Sequence, residues 1–162
     1  LKLAIAQRLA RRVKDKTGIV TPIDKSMELM MEDTFKSLPE KYRDRIPTGR
    51  TIVRPEPTPG CATGMRGRVA VMEVLEVNEA IQEMILKSAS EEQIYDEARK
   101  HGFMTMKEDA IAKALNHIIP LEEMNAFGTK IGIDDLLEDP VDNQTPVEIK
   151  EAIMVSDENT TG

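Results

Sequence analysis

One stretch constrains the fold more than any other: Gly60–Val77, reading G-C-A-T-G-M-R-G-R-V-A-V-M-E-V-L-E-V. Gly60, Gly64 and Gly67 mark a tight turn region, because glycine takes positive φ without a steric penalty. The turn runs into a nearly unbroken apolar run, Val69–Val77, with valine at 69, 71, 74 and 77. Its β-branched content and short length favour a buried strand over a buried helix. The patterns on both sides are helical, so helices must pack on that strand and bury it.

Upstream, Leu1, Ile5, Leu9 and Val13 recur at i, i+4 while Arg8, Arg11 and Arg12 fall on the other side. This spacing predicts an amphipathic helix with a basic face. Such a face is either solvated or an arginine set turned towards phosphate or a neighbouring subunit. Lys14–Val20 reads as a loop around Gly18. Thr21-Pro22-Ile23-Asp24 predicts a helix start, with Thr21 as N-cap and Pro22 at the first helical position. The helix runs to about Ser37 and buries Ile23, Met27, Met30 and Met31, with Phe35 and Leu38 beyond. Its methionines suit either core or a partner groove, and helical spacing favours core. Pro39, Pro47, Gly49, Pro55, Pro57, Pro59 and Gly60 then punctuate an irregular connection holding one short extended piece, Thr51–Arg54.

Downstream, Asn78 caps a helix to about Lys87 with Ile81, Met84 and Ile85 inward. Ser90-Glu91-Glu92-Gln93 has the capping-box form and opens a helix with Ile94 and Ala98 inward, stopped at Gly102. Thr105-Met106-Lys107-Glu108 repeats the device for a helix whose inward stripe is Met106, Ala110, Ile111, Ala114, Leu115 and Ile118. A shorter helix follows from Pro120 to about Phe127. The predicted fold class is therefore α+β, predominantly α: a helical bundle packed on a short strand or small β element.

From Thr129 the pattern fails, and the rest reads as a mostly disordered acidic tail with a short helix at Val147–Met154. Residues 132–162 hold nine acids against Lys150, so the tail carries −8 of a net −7 and the remainder only +1. The body gives no reason to expect nucleic-acid binding. No apolar stretch approaches the roughly 20 residues of a membrane helix, so a soluble protein is expected. The N-terminus begins mid-pattern without a signal peptide, which points to the C-terminal part of something longer.

The chemistry-bearing motifs are few. There is no G-x-x-x-x-G-K-[ST] phosphate loop, H-E-x-x-H, C-x-x-C or G-x-S-x-G in the chain. His101 and His117 sit near helix C-termini, and as a metal pair they lack further ligands. Cys61 is the single cysteine, which excludes an internal disulfide and fits a reducing, cytoplasmic setting. Its activation as a nucleophile would rest on Arg66 and Arg68 alone. A small metal enzyme built on His101, His117 and Cys61 is thus a hypothesis kept only to be excluded. The residues by themselves describe a mainly helical domain without its own catalytic site.

Three blocks resemble the C-terminal region of the secretion and type IV pilus assembly ATPases. A-I-A-Q-R-L-A-R-R-V (Ala4–Val13) is similar to the family's "AQRLvRrlC" helix, T-G-M-R-G-R-V-A-V-M-E-V-L (Thr63–Leu75) to its "TGYkGRvgifEvl" segment, and Gly102–Met124 to its closing "GmrtlreDgl.kvl.GittleEvl" segment. The resemblance implies the C-terminal subdomain of a RecA-like ATPase that works as a hexamer with ATP and Mg. It implies inner-membrane platform proteins as partners, and a place at the cytoplasmic face of the membrane without insertion into it. The expected organisation is an end of the ATPase core at 1–16, a degenerate zinc-loop region at 17–62, a helical subdomain at 63–128 and the tail at 129–162. Arg8, Arg11 and Arg12 would face a nucleotide site or adjacent subunit, and Gly64, Gly67 and Arg68 would form a structural turn.

Many members bind zinc through two C-x-x-C pairs. Lys14 and Thr17 stand at the first pair and only Cys61 remains at the second, so zinc is expected to be absent. His117 replaces a glycine common at a helix end in the family, which predicts a different helix ending. The alternative to a motor fragment is a noncatalytic adaptor using the same fold.

Overall fold

In the computed structural model, residues 1–128 are described, so the tail expected at 129–162 and its helix at 147–154 lie outside the described residues. The element order is β1 (Leu3–Val13), β2 (Ile19–Pro22), α1 (Lys25–Phe35), α2 (Glu40–Arg43), β3 (Thr51–Arg54), β4 (Met65–Glu76), α3 (Glu79–Leu86), α4 (Glu91–Lys100), α5 (Met106–Leu115) and α6 (Leu121–Asn125). The class is α+β, with helices and two small antiparallel sheets.

The helix predicted for Leu1–Val13 is instead β1, an 11-residue strand paired antiparallel with β4 from Leu3↔Glu76 to Val13↔Met65. The reason lies in the periods: residues four apart share a face in a helix and also in a strand, since four is a multiple of two. Leu1, Ile5, Leu9 and Val13 fit both. β4 decides between them, because its 12 residues need a backbone partner of similar length.

Directly opposed residues share a face. Arg8↔Val71 and Ala10↔Val69 therefore point one way, and Ile5↔Val74 and Gln7↔Met72 the other. The first face is packed against helices, with Ala10 and Val71 both at 0% exposure. The second is bare: Leu3, Ile5, Leu9, Met72 and Val74 are 40–57% exposed. The fully buried strand expected at Val69–Val77 is thus covered on one side only in these 128 residues. Val13 escapes exposure because the register shifts between Arg11 and Val13, and such a bulge turns the following side chain over.

β2 and β3 form a second ribbon, Ile19↔Arg54 to Pro22↔Thr51. The extended piece at Thr51–Arg54 is as expected, but the Thr21-Pro22 helix start is not: both residues belong to β2. Asp24 caps α1 in their place, its Oδ1 accepting from Met27 N at 2.7 Å. Pairing with β3 removes Thr21 from cap duty, and the next residue with a short acceptor side chain takes over. Met27, Met31, Phe35 and Leu38 are buried as predicted, while Ile23 and Met30 are partly so. All of these but Leu38 join Ala10, Val71 and the α5 stripe of Ala110, Ile111, Ala114 and Leu115 in one core.

The three capping predictions hold. Asn78 accepts from Ile81 N, and Ser90 with Gln93 and Thr105 with Glu108 form reciprocal capping boxes. Ile81 is inward at 0% exposure, but Ile85, one residue before the end of α3, is 48% exposed. The short helix α2 has no counterpart in the sequence reading.

Helices α3, α4 and α5 end alike. Ser88, Gly102 and His117 take φ of 53°, 85° and 59°. Bonds from Ala89 N to Met84 O, Phe103 N to Ala98 O and Ile118 N to Lys113 O close each last turn at 2.9, 3.2 and 2.9 Å. This is the Schellman ending, and His117 occupies the position glycine favours without changing it. The different ending expected there does not occur. His117 Nε2 lies 2.9 Å from Thr51 Oγ1, a contact that ties the strained residue to β3. Ser88 has no such tie among the described contacts, so Ser88→Gly is expected to stabilise the chain by about 1 kcal/mol. A urea midpoint that stays put or falls would contradict this.

Candidate functional site

The arginines lie on β1 and are held by the last helix. Arg8 donates from Nη1 to Ala126 O at 3.3 Å, and its guanidinium sits 4.8 Å from the centre of the Phe127 ring. Arg11 donates twice to Glu123, from backbone N to Oε2 at 2.8 Å and from Nε to Oε1 at 2.7 Å. Arg12 turns the other way, its Nη2 2.5 Å from Asp15 Oδ1, and its Nε is buried with no partner among the described residues. The structure therefore does not bring the three into one cluster. Two clasp α6, and the third closes the turn after β1.

On the paired strand, Arg68 stands directly opposite Arg11. Like charges at that separation repel, and Glu123 supplies the compensating carboxylate on the Arg11 side. Gly64 and Gly67 have φ of 65° and 77°. A Cβ on Gly64 would lie 2.5 Å from the backbone N and O of Glu56, whereas one on Gly67 would meet only the Arg12 side chain at 3.8 Å.

Lys14, Thr17 and Cys61 gather at one loop junction. Lys14 N donates to Gly64 O at 3.0 Å, Lys14 Nζ to Thr58 Oγ1 at 2.8 Å, and Thr17 Oγ1 to Lys14 O at 2.8 Å. Cys61 bonds backbone to backbone with Thr58, and its Sγ lies 3.2 Å from Met65 O. Neutral and cationic hydrogen-bond donors knit the junction. Among the described residues no group of three or more His, Cys, Asp or Glu side chains is placed to hold a metal ion. His101 is half-exposed beside Glu97, and His117 is on Thr51. The two histidines and Cys61 thus lie in separate surroundings.

With this geometry in view, the chain can be set beside known proteins. A family model described as "Type II/IV secretion system protein" matches residues 1–126. The chain belongs to that family. Its relatives include the type IV pilus assembly ATPase PilB of Pseudomonas aeruginosa, 32% identical over 126 residues covering 77% of this chain and 20% of that protein. The type II secretion system protein E of Xanthomonas campestris pv. campestris is 29% identical over 126 residues, covering 74% and 20%. PilB of Thermus thermophilus is 41% identical over 64 residues, covering 40% and 7%. The chain spans about a fifth of the length of the first two relatives. Among the described residues no helix is long and apolar enough to cross a membrane.

Glu123, Asp109 and Phe127 were not foreseen. Asp109 Oδ2 accepts from Met72 N at 2.8 Å, so a helix carboxylate takes a strand N–H, as Glu123 does at Arg11. Both acids lie in first turns of helices, where acids are common for dipole reasons. Nothing in their spacing marks them as partners of residues 37 and 112 positions away.

Proposed function

We propose that this chain is the C-terminal part of a hexameric, ATP-hydrolysing motor that powers type IV pilus assembly or type II secretion. The observation that carries the reading is the bare sheet face joined to the family match. A sheet with one face on helices and Leu3, Ile5, Leu9, Met72 and Val74 exposed on the other is half of a layered core. A RecA-like nucleotide-binding domain preceding Leu1 would supply the other half. ATP and Mg would bind there, and this region would transmit packing and motion between subunits at the cytoplasmic side of the inner membrane, against platform proteins.

In that motor Arg8 and Arg11 would fix α6 to β1, and Arg12, whose Nε has no partner among the described residues, would be the arginine nearest in role to an interface residue. The reading leaves zinc out, since Cys61 is the chain's one thiol and a structural site takes four ligands.

Reading the coding sequence upstream of Leu1 and assaying the whole polypeptide tests the proposal. A phosphate-loop motif upstream and an ATPase that loses activity when its lysine is replaced are expected. A natural start at Leu1, or an upstream region without a phosphate loop, would leave the adaptor reading in its place.

A further inference from the structure

Charge is sorted along the β1–β4 ribbon. At its Leu3–Glu76 end β4 leads directly into the α3–α4 hairpin, and residues 76–97 hold seven acids against Lys87, a net −6. At its Val13–Met65 end, residues 11–20 hold Arg11, Arg12, Lys14 and Lys16 against Asp15, a net +3, and Arg66 and Arg68 on β4 add two more. The 11-residue strand between the two ends is on the order of 30 Å long.

Both ends also carry exposed apolar side chains. The hairpin is anchored at its base, where Val77, Ile81 and Ala98 pack together, while Ile85 and Leu86 towards its tip are 48% and 85% exposed. Across the tip, Glu91 and Glu92 open α4 with no ion-pair partner among the described residues. The result is an apolar knob with an acidic collar. The basic end is concave: Arg12, Lys14 and Lys16 line a cleft of about 410 Å³ together with Val20 and Val53, and Val20 is 55% exposed. Arg12 is held by Asp15 and Lys14 by Thr58, which leaves Lys16 as the cation of the cleft with no partner among the described residues.

We propose that the α3–α4 tip of one copy seats in the Arg12–Val20 cleft of the next, with Leu86 against Val20 and the Glu91 and Glu92 carboxylates facing Lys16. The occupant is a second copy because both halves of the contact, opposite in charge and matched in apolar character, stand on one chain. The length of the ribbon keeps them from meeting within it. A knob on one part of a molecule and a pocket on another make a heterologous contact, which uses both surfaces of every subunit and forms a ring where the rotation closes. The inference thus deepens the hexamer reading above and rests on it. So small a knob buries well under the roughly 1,000 Å² of a stable interface, so it adds to other contacts in the motor and does not assemble the ring alone.

Charge reversal in the whole polypeptide tests this. Glu92→Lys on the tip and Lys16→Glu in the cleft each set like charges across the contact. Each should weaken subunit association about tenfold in sedimentation velocity, and the double variant should recover most of the loss. Leu86→Ser should weaken association as well. It should leave the urea midpoint of the 162-residue chain unchanged, because that side chain is already solvated in a single copy.

Three results would overturn the proposal. The first is a double variant that recovers nothing. The second is a response to the tip variants without one to Lys16→Glu, which would give the tip to another protein or to the upstream part of the polypeptide. The third is a Lys16→Glu effect that appears only after residues 132–162 are removed, which would give the cleft to the chain's own acidic end. The parent reading fails separately. A polypeptide without a phosphate loop whose copies still show the recovery would sink the motor and keep the contact; an ATP-hydrolysing hexamer indifferent to all three single variants would do the reverse.

Discussion

Glu108→Ala is expected to destabilise the chain by about 3–5 kcal/mol, a large share of the roughly 5–15 kcal/mol that holds a domain of this size. Glu108 is 2% exposed and Arg99 is 3% exposed. The carboxylate is bidentate on the guanidinium, with Arg99 Nη1 2.8 Å from Oε2 and Nη2 on Oε1. The same carboxylate accepts from Thr105 N at 2.8 Å as the return half of the α5 capping box. Arg99 in turn donates to Phe103 O and to Ser37 Oγ, so the pair joins α4, α5 and the end of the α1 segment. Alanine would strand a buried guanidinium and open the cap together. Glu108→Gln keeps an acceptor for Thr105 N and should cost less than alanine. Replacing both partners, as in Arg99→Met with Glu108→Leu, should cost less than the single alanine, because no uncompensated charge remains. Urea denaturation of the four proteins decides it, and a Glu108→Ala loss under about 1 kcal/mol would mean the pair is solvated.

Gly64→Ala is expected to cost roughly 3 kcal/mol or more, the level at which strain at a special backbone position becomes diagnostic. Two effects combine there. A side chain at φ of 65° is disfavoured by about 1–2 kcal/mol. Its Cβ would also lie 2.5 Å from Glu56 N and O, which are backbone atoms that cannot rotate aside. Gly60→Ala is the control, because φ is 78° but nothing lies within 4 Å of the added carbon. It should show the backbone penalty alone. Equal midpoints for the two variants would remove the Glu56 contact from the account.

Much of the chain was legible because its signals are local. The Asn78, Ser90 and Thr105 caps depend on side chains within three residues of the N–H groups they satisfy, so a short window contains the whole interaction. The α5 stripe was legible for a similar reason, since one helix face met one core. Arg8 and Arg11 of β1 were not. Their partners Glu123, Ala126 and Phe127 lie more than a hundred residues away, and the helix assigned to β1 would have aimed them differently. His117 was misjudged on residue type, because Thr51 holds its ring and that contact lies 66 positions off.

By itself the sequence determined the family, the helix starts in the second half and the glycine turn into a strand. Each of these is written in adjacent residues, as caps, blocks and positive-φ positions. Tertiary structure alone decided that Leu3–Val13 is a strand, that Arg8 and Arg11 clasp α6, and that one face of the ribbon is bare among the described residues. A period of four cannot separate helix from strand, and a backbone hydrogen bond goes to whichever distant segment is available. The choice belongs to β4, α5 and α6, not to the residues of β1.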